Sequence, residues 1–257
     1  MFTKLILISL ATVSAFFTPS VKLSNGRTAS LKGRGPPVLF SPGLFGTMPP
    51  QFYSNVINSL TKNVTVVTFN DVLPITPNDI PDLADSLNVD TLTYFSHSSF
   101  NPDILESDRI NNAVLVDPIV IPNFDITGVL NGGLSAIDPK SVFVEYPVIV
   151  IKSEKLYESK LDLPTWQELI INGEVENNIY DGVGHPDLLD DTWANIAKTT
   201  DLWGTATGNI MSFKEWKYNH KNTVPQTRKD YRKFISKKVL DLVNDVPQVL
   251  PPELPVN

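Results

Sequence analysis

Five short, largely apolar runs constrain the fold of this chain more than any other feature of its sequence. They are rich in β-branched and aromatic residues: Val38–Phe40, Val64–Phe69, Leu92–Phe95, Ala113–Val116 and Val148–Ile151. Stretches with helical character lie around them: Gln51–Thr61, Ile80–Leu87, Trp193–Thr199 and Arg228–Val246. Strands that are apolar on both sides are typical of a parallel sheet covered by helices on both faces. The alternation predicts an α/β domain over residues 36–246, with a mostly parallel central sheet.

Composition excludes several kinds of chemistry. The 257 residues include no cysteine, which rules out a thiol nucleophile, a disulfide scaffold and Cys-ligated metal centres. With only three histidines, no metal site is expected. The sequence also lacks a glycine-rich phosphate-binding loop, so nothing in it points to a nucleotide cofactor. The formal net charge of −7 argues against nucleic-acid binding. We therefore expect a chain that uses neither metal nor cofactor.

The N-terminal residues have the pattern of a targeting sequence. Lys4 precedes the apolar run Leu5–Val13 and the small residues Ser14 and Ala15, which predicts a signal peptide over residues 1–15. Residues 16–35 are rich in Ser, Thr and basic residues and contain no acid, as in transit peptides. The proline-rich residues 247–257 are predicted to form a tail outside the domain.

A signal peptide followed by Phe16 and a transit-like segment resembles the bipartite presequences of algae with complex plastids. The resemblance implies delivery to a plastid. Secretion is the alternative, and the sequence Asn63-Val64-Thr65 matches a glycosylation motif.

Three residues at predicted strand ends form a candidate catalytic triad. Ser98 follows the strand Leu92–Phe95 at the position of a nucleophile elbow, Asp117 follows Ala113–Val116, and His185 follows a short predicted strand and a glycine-rich turn. The chain order Ser, Asp, His is that of the α/β-hydrolases. Glu154, which comes after the next strand, is the alternative acid. His97 is expected to pack beside the elbow.

The loop after the first predicted strand fits an oxyanion-hole loop. Its sequence is Phe40-Ser41-Pro42-Gly43-Leu44-Phe45-Gly46, and we expect the backbone N–H groups of Leu44 and Ser99 to bind the oxyanion. Three apolar side chains nearby are predicted to contact substrate: Phe45, Met48 and Phe52. The elbow lacks its usual glycines, since Ser96 and Phe100 occupy their positions.

Several of these motifs resemble those of chlorophyllases, the α/β-hydrolases that cleave phytol from chlorophyll. Gly184-His185-Pro186-Asp187-Leu188-Leu189-Asp190-Asp191 is similar to their Gly-His-x-Asp-hydrophobic-Leu-Asp-Asp segment. His97-Ser98 matches the His-Ser of their elbow, and Asp117-Pro118-Ile119 matches the Asp-Pro-Val that holds their triad acid. The resemblance implies an α/β-hydrolase fold, a triad of Ser98, Asp117 and His185, and a chlorophyll-like ester substrate.

Three functions follow from these features. The first is hydrolysis of the phytyl ester of chlorophyll or a similar hydrophobic ester, with peripheral association with pigment-bearing membranes. The second is an esterase or lipase that acts on other lipid esters with the same triad. The third is a catalytically weak relative that binds pigment, which the altered elbow favours.

Overall fold

A central β-sheet organises the described part of the molecule. The computed structural model describes residues 19–43, 46, 48–120, 140–153, 169–199 and 224–245. Ten strands lie in these ranges: β1 (Ser20–Lys22), β2 (Thr28–Gly33), β3 (Pro37–Ser41), β4 (Thr65–Phe69), β5 (Leu92–Ser99), β6 (Ile110–Ile119), β7 (Lys140–Phe143), β8 (Val148–Ser153), β9 (Leu169–Asn172) and β10 (Val175–Tyr180). Eight of them form one sheet in the order β1-β2-β4-β3-β5-β6-β8-β10, and β7 pairs with β9 separately.

The eight-stranded sheet is mostly parallel, as the apolar runs predict. Strands β4, β3, β5, β6, β8 and β10 are parallel to one another, whereas β2 runs antiparallel to both β1 and β4. All five apolar runs lie on strands of this sheet. Their carboxyl ends therefore meet at one edge, where open α/β sheets bind their ligands.

The helices are short except for the last one. The α-helices of the described chain are α1 (Ser54–Leu60), α2 (Asp79–Leu87), α3 (Asp191–Thr199) and α4 (Pro225–Asp245). Three 3₁₀ helices cover Pro50–Tyr53, Pro102–Glu106 and His185–Leu188. The predicted helix Gln51–Thr61 is thus a 3₁₀ turn followed by α1. No described helix has the length and apolar character that crossing a membrane requires.

Alternate residues of the strands fill two cores, one on each face of the sheet. Leu39, Tyr94 and Leu115 belong to the core that α2 covers. Phe40 and Phe95, their neighbours in sequence, belong to the core that α1 and α4 cover. Because both faces are covered, the central strands bury nearly every side chain, which explains their continuous apolar runs.

The predicted domain boundary at residue 36 is wrong. Residues 20–33, assigned from their composition to a transit-like segment, form β1 and β2 of the central sheet. Leu23, Ala29 and Leu31 are buried in the core. Removing this segment would expose the antiparallel edge of β4 and part of the core. The predicted signal peptide and the tail 247–257 lie outside the described residues, so those expectations stay predictions.

Candidate active site

A sharp turn at the end of β5 presents Ser98 at the carboxyl edge of the sheet. Ser96 pairs with Leu115 of β6 and His97 with Val116, after which the register shifts and Ser99 pairs with Ile119. Ser98 lies within this irregularity, with a φ of 68°. A positive φ at a non-glycine residue costs on the order of 1–3 kcal/mol and is typical of functional turns. The absent elbow glycine is accommodated because Phe100 packs into the core, 1 % exposed.

Asp117 occupies the corresponding irregularity on the neighbouring strand β6. Its φ is 46°, so the chain turns there as it does at Ser98. The carboxylate is completely buried. Oδ1 accepts the backbone N–H of Ser153 at 2.6 Å, and Oδ2 accepts the Ser153 hydroxyl at 2.9 Å. These two bonds from the end of β8 fix the orientation of the acid, because a buried carboxylate needs donors on both oxygens.

His185 lies between the other two residues. It follows β10 in the 3₁₀ helix His185–Leu188. Its Nε2 is 2.9 Å from Ser98 Oγ, and its Nδ1 is 3.2 Å from Asp117 Oδ2. Because an ionised carboxylate only accepts hydrogen bonds, Nδ1 carries the proton and Nε2 is left to accept the Ser98 hydroxyl. The structure therefore brings together all three residues of the predicted triad, in the arrangement that nucleophilic catalysis by serine requires.

The strand order and the positions of these three residues decide the fold. In this mostly parallel eight-stranded sheet, Ser98 lies at the end of β5, Asp117 lies near the end of the next strand β6, and His185 follows β10. This is the chain order and placement of the α/β-hydrolase triad. The chain has the α/β-hydrolase fold.

Solved structures with some likeness to this chain are described as hydrolases. An epoxide hydrolase mutant from Vigna radiata is 10% identical, covers 89% of this chain and 98% of its own, and has a TM-score of 0.47. Epoxide hydrolases from metagenomes of hot environments, described as members of the alpha/beta hydrolases superfamily, show 14% identity, 77% and 99% coverage and a TM-score of 0.42.

A third structure, an epoxide hydrolase from an endophytic Streptomyces, shows 16% identity and a TM-score of 0.35. It covers 45% of this chain, which spans 42% of that relative. No protein-family model and no curated protein matches the sequence. The fold assignment rests on the sheet and the triad that the structure shows directly.

Acidic residues of the loop that carries His185 fix its conformation and attach it to neighbouring elements. Asp187, fully buried, accepts the N–H of Gly184 at 2.7 Å and so closes the turn before the histidine. Asp190 accepts the N–H of Asn55 at 2.8 Å, at the start of α1, and its own N–H donates to the Phe52 carbonyl at 2.7 Å. Asp187 and Asp190 therefore hold the loop that carries His185 in place.

Two buried arginines of α4 anchor the same loop from the other side. Arg232 donates to the Leu189 carbonyl at 2.5 Å and to Asp191 at 2.8 Å. Arg228 lies 3.5 Å from Asp191 and 3.9 Å from Asp187. Both arginine side chains are less than 10% exposed and Asp187 is fully buried, so solvent screens the pair of Arg228 with Asp187 little. Asp191 is 54% exposed, so its pairs with the two arginines are screened more strongly. Helix α4 thus holds the loop that carries His185.

The loop after β3 passes close to the nucleophile. A Cβ at Gly43 would lie 3.4 Å from Ser98 Cβ and 2.9 Å from Met48 Sδ, so a side chain there would crowd the elbow. This approach is what an oxyanion-hole loop requires. Leu44 and Phe45, the predicted oxyanion donor and substrate contact, lie outside the described residues. Ser99, whose N–H is the other predicted donor, directly follows the nucleophile on β5.

The predicted substrate contacts Met48 and Phe52 lie beside this loop. The Met48 sulfur is 3.6 Å from the Tyr53 hydroxyl. Phe52 stacks on Trp193 of α3, with ring centroids 3.9 Å apart. Both side chains are partly buried against the core that α1 and α4 cover. Glu154, the alternative acid, lies outside the described residues, and Asp117 is the carboxylate that meets His185.

Sequence reasoning missed Ser153 and gave Tyr53 no role at the site. Ser153 carries no motif, and its contact with Asp117 joins residues 36 positions apart. His97 is buried beside the elbow, as expected, and stacks on the His185 ring with centroids 4.6 Å apart. Among the described residues, His97, Asp117 and His185 lie close enough together to hold a metal ion, because their ligand atoms are within 4.8 Å of one another. Each ring nitrogen of both histidines already faces a hydrogen-bond partner in the protein.

Proposed function

We propose that the protein is a serine hydrolase that cleaves carboxylic esters. The observation that supports this most strongly is the pair of contacts of His185, 2.9 Å from Ser98 Oγ on one side and 3.2 Å from Asp117 on the other. A serine hydroxyl is a weak nucleophile by itself and needs a base within hydrogen-bond distance. The buried acid fixes the tautomer of that base.

The proposed reaction has two halves. Ser98 Oγ attacks the ester carbonyl while His185 Nε2 takes its proton, and Asp117 stabilises the imidazolium. The tetrahedral intermediate collapses to an acyl-enzyme, and His185 gives the proton to the departing alcohol. In the second half, water attacks the acyl carbon with His185 as base, which releases the acid and restores Ser98. Backbone N–H groups of the loop after Gly43 and of Ser99 are the proposed oxyanion donors.

For the substrate we propose a hydrophobic ester of the chlorophyll type, which would be cleaved to chlorophyllide and phytol. Support comes from the resemblance of Gly184–Asp191 and of the elbow to chlorophyllases. The partly buried Met48 and the stacked rings of Phe52 and Trp193 supply apolar surface next to the loop after β3. Such surface is typical of sites that take up a long apolar group. Location in a plastid remains part of this proposal.

The purified protein should hydrolyse p-nitrophenyl esters and release chlorophyllide from chlorophyll a. Ser98→Ala is expected to lower kcat on the order of 10⁴- to 10⁶-fold, as loss of a triad nucleophile does. It should also abolish covalent labelling by a fluorophosphonate. Ser59→Ala is a matched control, because Ser59 lies on α1 and bonds to Ser236 of α4, away from the triad.

The outcomes separate the three functions. Turnover of p-nitrophenyl esters without chlorophyllide release favours an esterase on other lipids. Retention of chlorophyll on gel filtration with no turnover of either ester favours a pigment-binding protein. Hydrolysis that survives Ser98→Ala would refute the serine mechanism.

A further inference from the structure

Two buried side chains, Tyr53 and His97, lie between the loops that carry the catalytic groups. The Tyr53 hydroxyl accepts the N–H of Gly43 at 3.0 Å and lies 2.8 Å from His97 Nδ1. On the other side of the ring, His97 Nε2 lies 3.0 Å from the backbone carbonyl of His185. His97 itself directly precedes Ser98. The two side chains therefore touch the oxyanion-side loop, the nucleophile turn and the base.

The proton positions in this network follow from its two ends. A carbonyl oxygen only accepts, so the Nε2 of His97 must carry the proton that points at His185. The Nδ1 of His97 then carries no proton and accepts a hydrogen bond from the Tyr53 hydroxyl, while the Tyr53 oxygen accepts one from the Gly43 N–H. These bonds all run in one direction, from the Gly43 N–H to the His185 carbonyl, and the Met48 sulfur, 3.6 Å from the Tyr53 hydroxyl, is a longer and weaker second contact. Such buried networks are rigid because a break leaves polar groups without partners.

The same surroundings keep His97 neutral. Burial, with a smaller contribution from the neighbouring His185, lowers the pKa of His97 to about 3. The two rings are stacked at 4.6 Å. In the proposed reaction His185 becomes an imidazolium, and a second positive charge at that distance would oppose it. A neutral His97 supports the ring of the base without competing for its charge.

We propose that Tyr53 and His97 are positioning residues for ester hydrolysis, which hold Gly43, Ser98 and the backbone of His185 at fixed distances from one another. This inference rests on the proposed function and deepens it. Neither side chain exchanges a proton with the substrate. They act through the geometry of the oxyanion loop and of the Ser98–His185 pair, where displacements of about 1 Å cost up to about a hundredfold in rate.

Tyr53→Phe is the variant that tests this role. It keeps the ring that packs edge-on against Phe40 at 5.0 Å and removes only the hydroxyl. We expect kcat for a p-nitrophenyl ester to fall about ten- to a hundredfold while KM stays within about threefold, because the catalytic groups lose alignment while only one hydroxyl is removed. A purely structural role would lower the melting temperature without this split between kcat and KM.

Tyr146→Phe is the matched control. The Tyr146 hydroxyl donates to the Leu105 carbonyl at 2.6 Å near the amino end of β8, at the opposite edge of the sheet from the triad. Both variants should lower the melting temperature by a similar few degrees, and only Tyr53→Phe should lower kcat. Equal kcat values in the two variants overturn the positioning role.

Nitrogen NMR of the ¹⁵N-histidine-labelled full chain tests the network without using activity. The chain has three histidines, and His97→Gln identifies the signals of His97. His97 should remain in the neutral Nε2–H form from pH 8 to about pH 5, and its Nδ1 signal should shift in Tyr53→Phe. Titration of His97 near the ordinary histidine value of about 6.5 overturns the network. No hydrolysis by the unaltered chain overturns the proposed function, whereas hydrolysis unchanged in Tyr53→Phe overturns the positioning role alone.

Discussion

Replacing Arg27 by methionine tests whether the N-terminal strands are part of the domain. Its guanidinium donates two hydrogen bonds to Asp71, at 2.7 and 3.0 Å, and one to Asp79 at 2.6 Å. It also donates to two backbone carbonyls and lies 4.1 Å from the centre of the Phe69 ring. The side chains of Arg27 and Asp79 are 10% and 3% exposed. This cluster joins the turn before β2 to the segment after β4.

The size of the effect follows from the charge that is left behind. Breaking a buried ion pair by removing one partner costs about 3–5 kcal/mol. Asp79 would keep bonds from the backbone and hydroxyl of Thr76 and from the side chain of Asn25, so we expect about 3 kcal/mol. In a protein of this size each kcal/mol changes the melting temperature by about 2–4 °C. Arg27→Met should therefore melt about 6–12 °C lower.

Thermal unfolding followed by circular dichroism measures this difference. Arg34→Met is the control, because Arg34 belongs to the same basic segment but is exposed, and it should shift the melting temperature by about 2 °C at most. A shift for Arg27→Met as small as that of the control would refute the reasoning, since it would mean that residues 19–33 are not docked on the sheet.

The pH dependence gives a second check on the same variant. Burial raises the pKa of Asp71, but hydrogen bonds from Arg27 and from the Leu73 backbone outweigh it and leave that pKa below its ordinary value. A depressed pKa contributes stability above the unfolded-state value of about 3.9, and this is lost as the pH falls through the folded-state pKa. The difference in stability between the two proteins should narrow below about pH 4.

Two further changes test the domain and the acid. A chain that begins at residue 36 should be unfolded in circular dichroism, because it lacks β1, β2 and the buried Leu23 and Leu31. A chain that begins at residue 19 should fold. A folded chain from residue 36 would contradict the revised domain boundary. Ser153→Ala keeps the backbone bond to Asp117 and loses the hydroxyl bond at 2.9 Å. Its kcat should fall about tenfold. Ser141→Ala, at an exposed position of β7, should match the unaltered protein, and equal rates for both variants would show that the Ser153 hydroxyl does not orient Asp117.

The central sheet could be predicted because the apolar pattern of each strand is visible within a short stretch of sequence. Strands such as Val148–Ser153 are apolar on both faces, and that pattern is readable in any short window. The strand Thr28–Gly33 was missed because it lies near the edge of the sheet and buries only alternate residues, Ala29 and Leu31. Its polar residues give it the composition of a transit peptide. The partners that make Arg27 structural are 44 and 52 residues away, beyond any local pattern.

The candidate site, like the fold, could be predicted from the sequence only in part. Ser98, Asp117 and His185 could be found because each follows a recognisable strand and their chain order is characteristic. The residues that hold them could not, because their contacts depend on the tertiary fold. Ser153 reaches Asp117 across neighbouring strands, and Tyr53 reaches His97 across 44 residues. The sequence indicates which residues form the candidate triad, whereas the hydrogen bonds that support them depend on the assembled strands.

The anchoring of the His185 loop by α4 has a consequence for the order in which activity appears during synthesis. Ser98 and Asp117 lie on strands that are complete by residue 119. The base is fixed only after Arg228 and Arg232 have been made and have reached Asp187 and Asp191. The ribosome makes the chain from its N-terminus at about 5–20 residues per second. A nascent chain would therefore hold Ser98 and Asp117 without a fixed His185 until α4 has been made and has docked, so that the proposed ester cleavage would begin only after the synthesis of this helix.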